Sequence, residues 1–295
     1  MSFLRDVLRR RASAQSLADQ SSYPLLLNGS PFLRDGYSEY HQARIRRTLN
    51  KLHEIHANNV VEVGGHPWAM TGALIDAGCF RVCATISAEE VSKWPDDFTP
   101  SAAEYRIVTN RGNEATFRNY SANVERRVFD LDVCPDTVIA CEIVEHLVRA
   151  PHVMFLNINR WLPVGGHLLV TTPNGLAFTN PLRRKSPTAS YRCYAYERHS
   201  YLFSSPDLVD LIGLCGFEVV EASYWNVYEC RGWTKIYSAL STLPLDYSRG
   251  KFSQVICIVA RKVQATQCLR RRPSCYEASD HWEYIAEPHV RESGA

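Results

Sequence analysis

The clearest pattern of hydrophobic and polar positions lies between Asp136 and Asn174. It begins with the β-branched and apolar run Thr137–Cys141, which is typical of a strand buried on both faces. Apolar residues then recur at helical intervals between Ala150 and Trp161, and the Gly165-Gly166 pair ends that helix. A second strand, His167–Thr172, completes a strand–helix–strand unit. Because such crossovers are right-handed, the two strands are predicted to be parallel.

Strand-like and helix-like patterns alternate on both sides of this unit. Further strands are predicted at Asn59–Val63, Arg81–Ile86, Tyr105–Thr109, Phe217–Tyr224 and Phe252–Ala260. Further helices are predicted at Ser38–His56, Ala69–Ala77 and Arg231–Leu243, and from Ser204 or Ser205 to Gly216. The alternation indicates an α/β fold with a largely parallel sheet and helices on both faces.

Composition and charge exclude several classes of protein. The 295 residues are 45% hydrophobic and 22% charged, and the net charge is only +2, so no global field favours nucleic acid. No apolar run approaches the roughly 20 residues of a membrane span, and the Arg-rich start lacks the apolar core of a secretory signal. Ten cysteines without a Cys-x-x-Cys pair indicate reduced thiols in a cytoplasmic protein rather than a zinc site.

The patterns and the local composition along the chain predict three segments. Residues 1–57 form an N-terminal helical extension, in which the helix Ser38–His56 either covers a ligand crevice or only caps the sheet edge. Residues 58–262 form the α/β domain. Residues 263–295 form a polar, loosely attached C-terminal tail, because the composition changes beyond Lys262.

Polar side chains gather where the predicted strands end. Glu142, Glu145 and His146 follow the strand Thr137–Cys141. In an open parallel sheet, ligands bind beyond the carboxyl ends of the strands, so these side chains mark a candidate rim. After the first strand, Glu62-Val-Gly-Gly must turn at once into a helix; glycine permits that turn and the helix N-terminus offers free amides. The Gly-x-Gly-x-x-Gly pattern is absent, which argues against a nicotinamide-binding fold.

The run Asp136–His146, the Pro-Val-Gly-Gly turn, the Thr-Thr-Pro-Asn strand end and the Glu62 loop resemble the class I S-adenosylmethionine-dependent methyltransferases. Within that superfamily, Glu-x-x-Glu-His-Leu is similar to the signature of the small-molecule branch. The resemblance covers roughly Asn58 to Val227. It implies a Rossmann-like, seven-stranded methyltransferase sheet with one antiparallel strand near its edge, and S-adenosyl-L-methionine as the methyl donor.

The resemblance also implies which residues hold that cofactor: Glu62, Gly64, Gly65, His66, Pro67, Thr85, Asn123, Val124, Cys141 and Glu142. Here the second and third glycines of the family loop are His66 and Trp68. Thr85 stands where the family has an acid for the ribose, and Glu89 or Glu90 is an alternative. Asn123 matches the residue placed beside the adenine amine, although an ordinary loop asparagine is an equal interpretation.

Catalytic and acceptor residues are predicted from the rim and from the linker Asn180–Arg198. His146 is the predicted general base, in a pocket with Glu145 and His199, because a pKa of about 6.5 suits proton removal from a hydroxyl. The alternatives are that His146 only supports its helix, or that histidine and carboxylate groups hold a divalent cation. The predicted acceptor-binding side chains are Arg183, Arg184, Lys185, Tyr194 and Tyr196, with a solvated loop as the alternative for the basic triplet.

The sequence thus predicts O-methylation of a small polar acceptor, such as a sugar or glycan hydroxyl. Nucleic acid is not an expected partner, because the chain has no Asp/Asn-Pro-Pro-aromatic motif and no broad basic stripe. The alternative is a cofactor-binding or inactive methyltransferase-like scaffold protein. It is suggested by the two replaced loop glycines and the missing ribose acid.

Overall fold

A computed structural model describes residues 26–27, 30–31, 37–66, 68–87, 100–109, 111–125, 128–147, 150–177, 191–196, 199–227, 240, 250–269 and 271–276. The chain divides into two compact units. The first comprises Met1–Ala122, Val133–Ile139 and Val227–Glu229, and the second comprises the remaining segments. No helix among the described residues is long and apolar enough to cross a membrane.

The first unit contains β1 (Leu26–Leu27), β2 (Ser30–Pro31), α1 (Tyr37–Glu54), β3 (Asn59–Val63), α2 (Ala69–Ala77), β4 (Arg81–Ser87), β5 (Ser101–Val108), β6 (Glu114–Ser121) and the start of β7 (Thr137–Cys141). Its strand order is β7-β3-β4-β6-β5-β1-β2. The β3–β4 and β4–β6 pairs are parallel, whereas β5 runs antiparallel to β6 and β1 antiparallel to β5. Every residue of α2 is buried, so this short helix lies in the core of the unit.

The second unit contains the end of β7, a 3-10 turn at Val144–His146, α3 (Pro151–Trp161), β8 (His167–Pro173), β9 (Tyr191–Tyr196), β10 (His199–Leu202), α4 (Ser205–Leu214), β11 (Phe217–Trp225) and β12 (Val255–Lys262). Its strand order is β11-β12-β8-β7. β12 is antiparallel to both β8 and β11, while β9 and β10 form a separate antiparallel pair. The register matches apolar residues of β12 with apolar residues of β8, and β12 is buried along most of its length.

The predicted α/β fold class is confirmed. In the first unit the central pairs β3–β4 and β4–β6 are parallel. In the second unit the antiparallel β12 lies between β8 and β11, near the edge, as the resemblance implied. In the first unit, β6, β1 and β2 are strands that were not among the seven predicted.

The strand predicted at Tyr105–Thr109 is present as the second half of β5. It runs antiparallel to β6, however, and β6 is the strand that pairs with β4. β6 is hard to recognise in the sequence because exposed polar residues interrupt its buried positions.

Buried polar side chains connect α3 to the surrounding backbone. Asn157 donates to the backbone oxygen of Val124 (3.1 Å) and accepts from the backbone nitrogen of Phe129 (2.9 Å). At the carboxyl end, the Lys262 ammonium donates to the carbonyls of Asn159 (2.6 Å) and Leu162 (2.7 Å). These carbonyls belong to the last turn, where a helix has no internal donors left, so Lys262 caps α3.

Replacing this cap tests its contribution to stability. Lys262→Met keeps most of the side-chain stem but leaves buried carbonyls without their donor, so we expect a loss of about 1–3 kcal/mol in the free energy of unfolding. The neighbouring Arg261 pairs with Glu218 while half exposed, and Arg261→Met should change that free energy by less than about 1 kcal/mol. Urea unfolding of both variants measures the difference; equal losses would contradict the capping role.

Candidate functional site

The loop after β3 is built around two glycines. Gly64 has a φ of 77°, a left-handed conformation that glycine adopts at little cost. The amides of Gly64 and Gly65 both point to the carbonyl of Ile86, at 2.8 and 3.3 Å, so the loop is fastened to the end of β4. A Cβ on Gly65 would lie 3.0 Å from Cβ of Thr85. Larger side chains are therefore disfavoured at both positions, as the sequence predicted for a tight turn.

Trp68 occupies the position of the third family glycine. Its φ of 56° lies in the left-handed region, so tryptophan adopts here the backbone conformation that glycine would favour. The side chain is only 3% exposed and makes edge-on ring contacts with His66 (5.2 Å) and Tyr105 (5.6 Å). The bulk of Trp68 is therefore packed inside the first unit, whereas His66 is exposed on the loop.

Glu62 provides a buried carboxyl group at the end of β3. It accepts a hydrogen bond from the Thr71 hydroxyl of α2. Burial raises its pKa to about 7, although the Thr71 hydrogen bond and the positive charge of Arg44 both act to lower it. Arg44 is itself buried in α1. Glu62 is therefore partly protonated near neutral pH, and a cationic partner would stabilise its charged form.

Thr85 is placed differently from what a ribose-binding side chain needs. It is fully buried, and its hydroxyl donates to Asn119 Oδ1 at 2.7 Å. Ser87 donates to the same oxygen at 2.8 Å. The structure thus uses the Thr85 hydroxyl to join β4 to β6, and its predicted role in ribose binding stays a prediction. No motif in the sequence marks Asn119.

In the second unit, α3 holds the backbone segment that contains Asn123 and Val124. Asn157 binds this segment at Val124 and Phe129, and the Trp161 indole donates to the Phe129 carbonyl at 2.8 Å. Asn123 Oδ1 accepts from the Glu125 amide (3.1 Å), so the amide NH₂ of Asn123 points the other way. That NH₂ is buried and has no hydrogen-bond partner among the described residues. This NH₂ group can donate to a ligand, whereas the adenine amine, beside which the resemblance places Asn123, needs an acceptor.

The predicted catalytic residues Glu145 and His146 lie together in the 3-10 turn after β7. Glu145 is 1% exposed and accepts from the Thr172 hydroxyl of β8 at 2.9 Å. Its other carboxylate oxygen lies 3.9 Å from His146 Nε2, and the His146 side chain is 39% exposed. The structure thus combines a buried carboxylate with a partly exposed imidazole, and adds Thr172, which no motif in the sequence marks.

The residues around this turn are arranged by the strand ends. Cys141 ends β7 and is half-buried. Glu142 follows with a φ of 55°, and its amide donates to the Thr171 carbonyl at 2.8 Å. β10, which begins at His199, packs against the turn Val144–His146. His199 is the first residue of this strand, and its predicted place in a pocket with His146 stays a prediction.

Other predicted residues fall elsewhere. Tyr194 and Tyr196 lie on β9, so the linker predicted for Asn180–Arg198 contains a strand. Pro67 and the basic triplet Arg183, Arg184 and Lys185 lie outside the described residues. In the part of the chain that the structure describes, no group of three or more His, Cys, Asp or Glu side chains is positioned to bind a metal ion.

A second buried cluster was not predicted. His152, at the start of α3, is fully buried, and its Nδ1 lies 2.6 Å from the Tyr276 hydroxyl. The Tyr276 ring lies 6.3 Å from that of Tyr201 in β10. Tyr276 and Cys275 are buried, although the sequence suggested a loose tail beyond Lys262. The missed signal is the Cys-Tyr pair after Pro273, which places apolar and aromatic side chains in an otherwise polar end.

Comparisons with known proteins add structural similarity alone. No family model and no curated protein matches the sequence. A methyltransferase from Clostridium acetobutylicum has a TM-score of 0.46 at 8% identity, with coverage of 77% of this chain and 92% of that one. The glycopeptide N-methyltransferase MtfA, solved with S-adenosyl-L-methionine, has a TM-score of 0.47 at 12% identity over 79% and 98%. One from Archaeoglobus fulgidus has a TM-score of 0.45 at 13% identity over 77% and 95%. Similarity at these values concerns the fold and not the function.

The shifted pKa of Glu62 gives a measurable pH dependence. The folded chain keeps Glu62 protonated up to about pH 7, whereas the unfolded chain ionises it near 4.5, so the folded state binds more protons in between. The contribution of Glu62 to the free energy of unfolding should therefore be complete below pH 4.5 and fall by roughly 3 kcal/mol as the pH rises to 7. Glu62→Gln should remove this fall, measured by urea unfolding at pH 4.5 and 7.5.

The exposed Glu218→Gln is the matched control, and its profile should follow that of the wild type. If the Glu62→Gln profile also followed that of the wild type, Glu62 would not be the group that titrates.

Proposed function

We propose that this chain is an S-adenosyl-L-methionine-dependent methyltransferase that acts on an oxygen atom of a small polar acceptor. The observation that carries the proposal is the loop after β3. There an acidic residue, Glu62, is followed by two glycines whose amides are fastened to Ile86 at the end of the neighbouring parallel strand. The methyltransferases that the sequence resembles use this loop for the methionine part of their cofactor.

The residues of this loop fit such a ligand. The Glu62 carboxyl group, buried and with a pKa near 7, would be stabilised in its charged form by an ammonium group. Gly64 and Gly65 keep the backbone open to close approach. Trp68, which replaces a family glycine, is buried against His66 and Tyr105 inside the first unit. His66 is the exposed side chain on the loop and completes the proposed cofactor-binding set there with Pro67.

The role of Asn123 is proposed from the resemblance and from its side-chain NH₂, which has no hydrogen-bond partner among the residues that the structure describes. A buried NH₂ without a partner costs free energy, and an acceptor atom of a ligand would recover it. A ring nitrogen of adenine is such an acceptor. Val124, Cys141 and Glu142 keep the cofactor-binding roles that the resemblance implies for them.

His146 is proposed as the base that accepts the acceptor's proton. When bound, S-adenosyl-L-methionine supplies an electrophilic methyl group. The chain must then orient the acceptor oxygen and remove its proton as the new bond forms. The imidazole of His146 is partly exposed and can reach a ligand, while the Glu145 carboxylate at 3.9 Å favours the imidazolium formed on proton uptake. The hydrogen bond from Thr172 fixes that carboxylate.

The acceptor is proposed to be a sugar or glycan hydroxyl. Arg183, Arg184 and Lys185 would bind its polar groups, and Tyr194 and Tyr196 would stack on it. His199 would approach from the start of β10, which packs against the turn of His146. A cytoplasmic location and the segment boundaries at residues 57 and 262 also stay predictions.

One observation favours the alternative of a cofactor-binding or inactive scaffold. The Thr85 hydroxyl, at the ribose position of β4, donates its hydrogen bond to Asn119 inside the first unit. That donor is then not available to a ribose, which would weaken binding of the cofactor. Calorimetry with S-adenosylhomocysteine, together with an assay of methyl transfer, separates the two functions. An enzyme must bind this ligand, and a chain that binds it but transfers no methyl group is a scaffold.

Substitution of Gly64 tests the placement of the cofactor. Gly64→Val should abolish S-adenosylhomocysteine binding in calorimetry, because it adds a side chain to the loop and strains a residue with a φ of 77°. The matched control is Gly78→Val, since Gly78 also has a positive φ, of 65°, but open space around its Cβ position. Both variants carry similar backbone strain, of order 1–3 kcal/mol. Equal binding by the two variants would refute the placement.

Substitution of His146 tests the base. His146→Ala should lower kcat at least ~100-fold, in line with the loss of a general base, and should leave donor affinity unchanged in calorimetry. Release of S-adenosylhomocysteine with a panel of mono- and oligosaccharides measures the rate. His167→Ala, at the opposite end of β8, is the control and should turn over normally.

Normal turnover by His146→Ala would rule out His146 as the base. A loss of activity in chelator that magnesium restores would instead indicate metal-assisted deprotonation.

A further inference from the structure

Residues 271–276, hereafter the C-terminal latch, dock on the first turns of α4 through polar contacts. The Arg271 guanidinium binds the Asp210 carboxylate. The Ser274 amide donates to the same carboxylate at 3.2 Å, and the Ser274 hydroxyl donates to Asp207 Oδ1 at 2.8 Å. These contacts are on the surface, where Arg271 and Ser274 are exposed.

The last residues of the latch are anchored by burial and by hydrogen bonds. The Tyr276 hydroxyl accepts from the backbone nitrogen of His152 at 3.1 Å and lies 2.6 Å from its ring. Cys275 and Tyr276 are 4% and 6% exposed. Arg272 donates to the Tyr276 carbonyl at 2.6 Å and so closes the latch on itself. Ser274 is thus an exposed residue between two anchored ones.

The electrostatics of the latch depend on Ser274 being a hydrogen-bond donor. Burial disfavours the charged form of Asp210, but the hydrogen bonds from Arg271 and Ser274 outweigh it and hold its pKa below the usual value. Asp207 accepts both from Ser274 and from Ser204 at the N-cap of α4. Two carboxylates therefore face Ser274, and both are satisfied by donors that Ser274 helps to supply.

A phosphoryl group on Ser274 would reverse this balance. It would replace the hydroxyl donor by about −2 charges and acceptor oxygens, beside Asp207 and Asp210. Arg271 and the partial positive charge of the α4 N-terminus are the compensating charges there, and the two carboxylates already use them. Like-charge repulsion and the lost hydrogen bond would both oppose docking.

The sequence before Ser274 fits a basophilic kinase, one that selects basic residues near the modified serine. Arg270, Arg271 and Arg272 precede Pro273 and Ser274. Protein kinases select substrates by charge patterns around the modified residue, and a run of arginines two and three residues before a serine suits an acidic substrate groove. Two of these arginines also hold the docked latch, so they become available to a kinase when the latch opens.

We propose that Ser274 is a phosphorylation site for a serine kinase with an acidic substrate groove, and that phosphorylation releases the C-terminal latch from α4. The γ-phosphoryl group of a nucleoside triphosphate passes to Ser274 Oγ. The bond from the γ-phosphorus to the β–γ bridging oxygen breaks, and nucleoside diphosphate leaves. The hydroxyl proton goes to the kinase base and from there to solvent.

Release has a consequence within the second unit. The Tyr276 ring lies against Tyr201 of β10, and β10 packs against the turn of Glu145 and His146. Undocking removes Tyr276 from the support of β10 and uncovers His152. We therefore expect phosphorylation to lower the rate of methyl transfer. This last effect rests on the proposed function, whereas modification and release do not.

The modification is tested with the full chain, ATP and the catalytic subunit of cAMP-dependent protein kinase as the probe. Intact mass and peptide mapping should show one phosphoryl group on Ser274, absent in Ser274→Ala. A synthetic peptide of residues 268–278 is the control for recognition of the sequence itself. The site is refuted if the peptide is not modified, and also if the peptide reacts to completion while Ser274 in the native chain does not.

Release is tested by hydrogen exchange of the phosphorylated and unphosphorylated chain. The amides of Ser274 and His152 donate to partners in the docked state, so their exchange should accelerate at least ~10-fold on phosphorylation. Asp207→Asn removes one of the repelling carboxylates and should reduce the acceleration. Unchanged or slower exchange would overturn the release, since it would mean that Arg271 holds the phosphate in the docked state.

The effect on function is measured separately as methyl transfer before and after phosphorylation, with kinase-treated Ser274→Ala as the control. A rate at least ~3-fold lower in the phosphorylated wild type supports coupling to the turn of His146. An equal rate refutes that coupling. A chain that transfers no methyl group in either state refutes the proposed function, and the phosphorylation and exchange results still decide the latch.

Discussion

The buried carboxyl group of Glu62 is the constraint on which the candidate site of the first unit depends. Burying a carboxylate is costly, so the group must be protonated, hydrogen-bonded or paired. The Thr71 hydroxyl and the charge of Arg44 supply part of this compensation and thereby bring α1, β3 and α2 to the same point. The glycine loop leaves β3 two residues later. The conformation of the glycine loop is therefore linked to the Glu62 carboxyl group, which a cation would stabilise in its charged form.

In the second unit, buried side-chain amides hold the backbone near the candidate site in place. Asn157 and Asn159 lie two residues apart on α3 and are almost fully buried. Asn157 fixes the segment that includes Val124, and Asn159 donates to the carbonyls of Cys215 and Gln264, both at 2.9 Å. α3 thus provides hydrogen-bond partners for two segments of irregular backbone and fixes their positions. Asn123 depends on this support for its position.

Local patterns predicted most of the regular structure, as the strand Asn59–Val63 and the helix Ala69–Ala77 show. Both are short, apolar and bounded by turn residues, so their conformation follows from nearby sequence. β6 was missed because its pairing with β4 depends on residues remote in sequence. Glu145 and His146 were selected from the sequence, but Thr172, which holds the Glu145 carboxylate, was not.

The sequence by itself determined the alternation of strands and helices, the glycine turn after Glu62 and the acidic and histidine residues after β7. Each is a property of neighbouring residues. Only the tertiary structure decided that Thr85 is committed to Asn119, that Trp68 turns inward and that residues 271–276 dock on α4. A side chain's partners come from distant parts of the chain, and a buried hydroxyl and an exposed one are the same letter in the sequence.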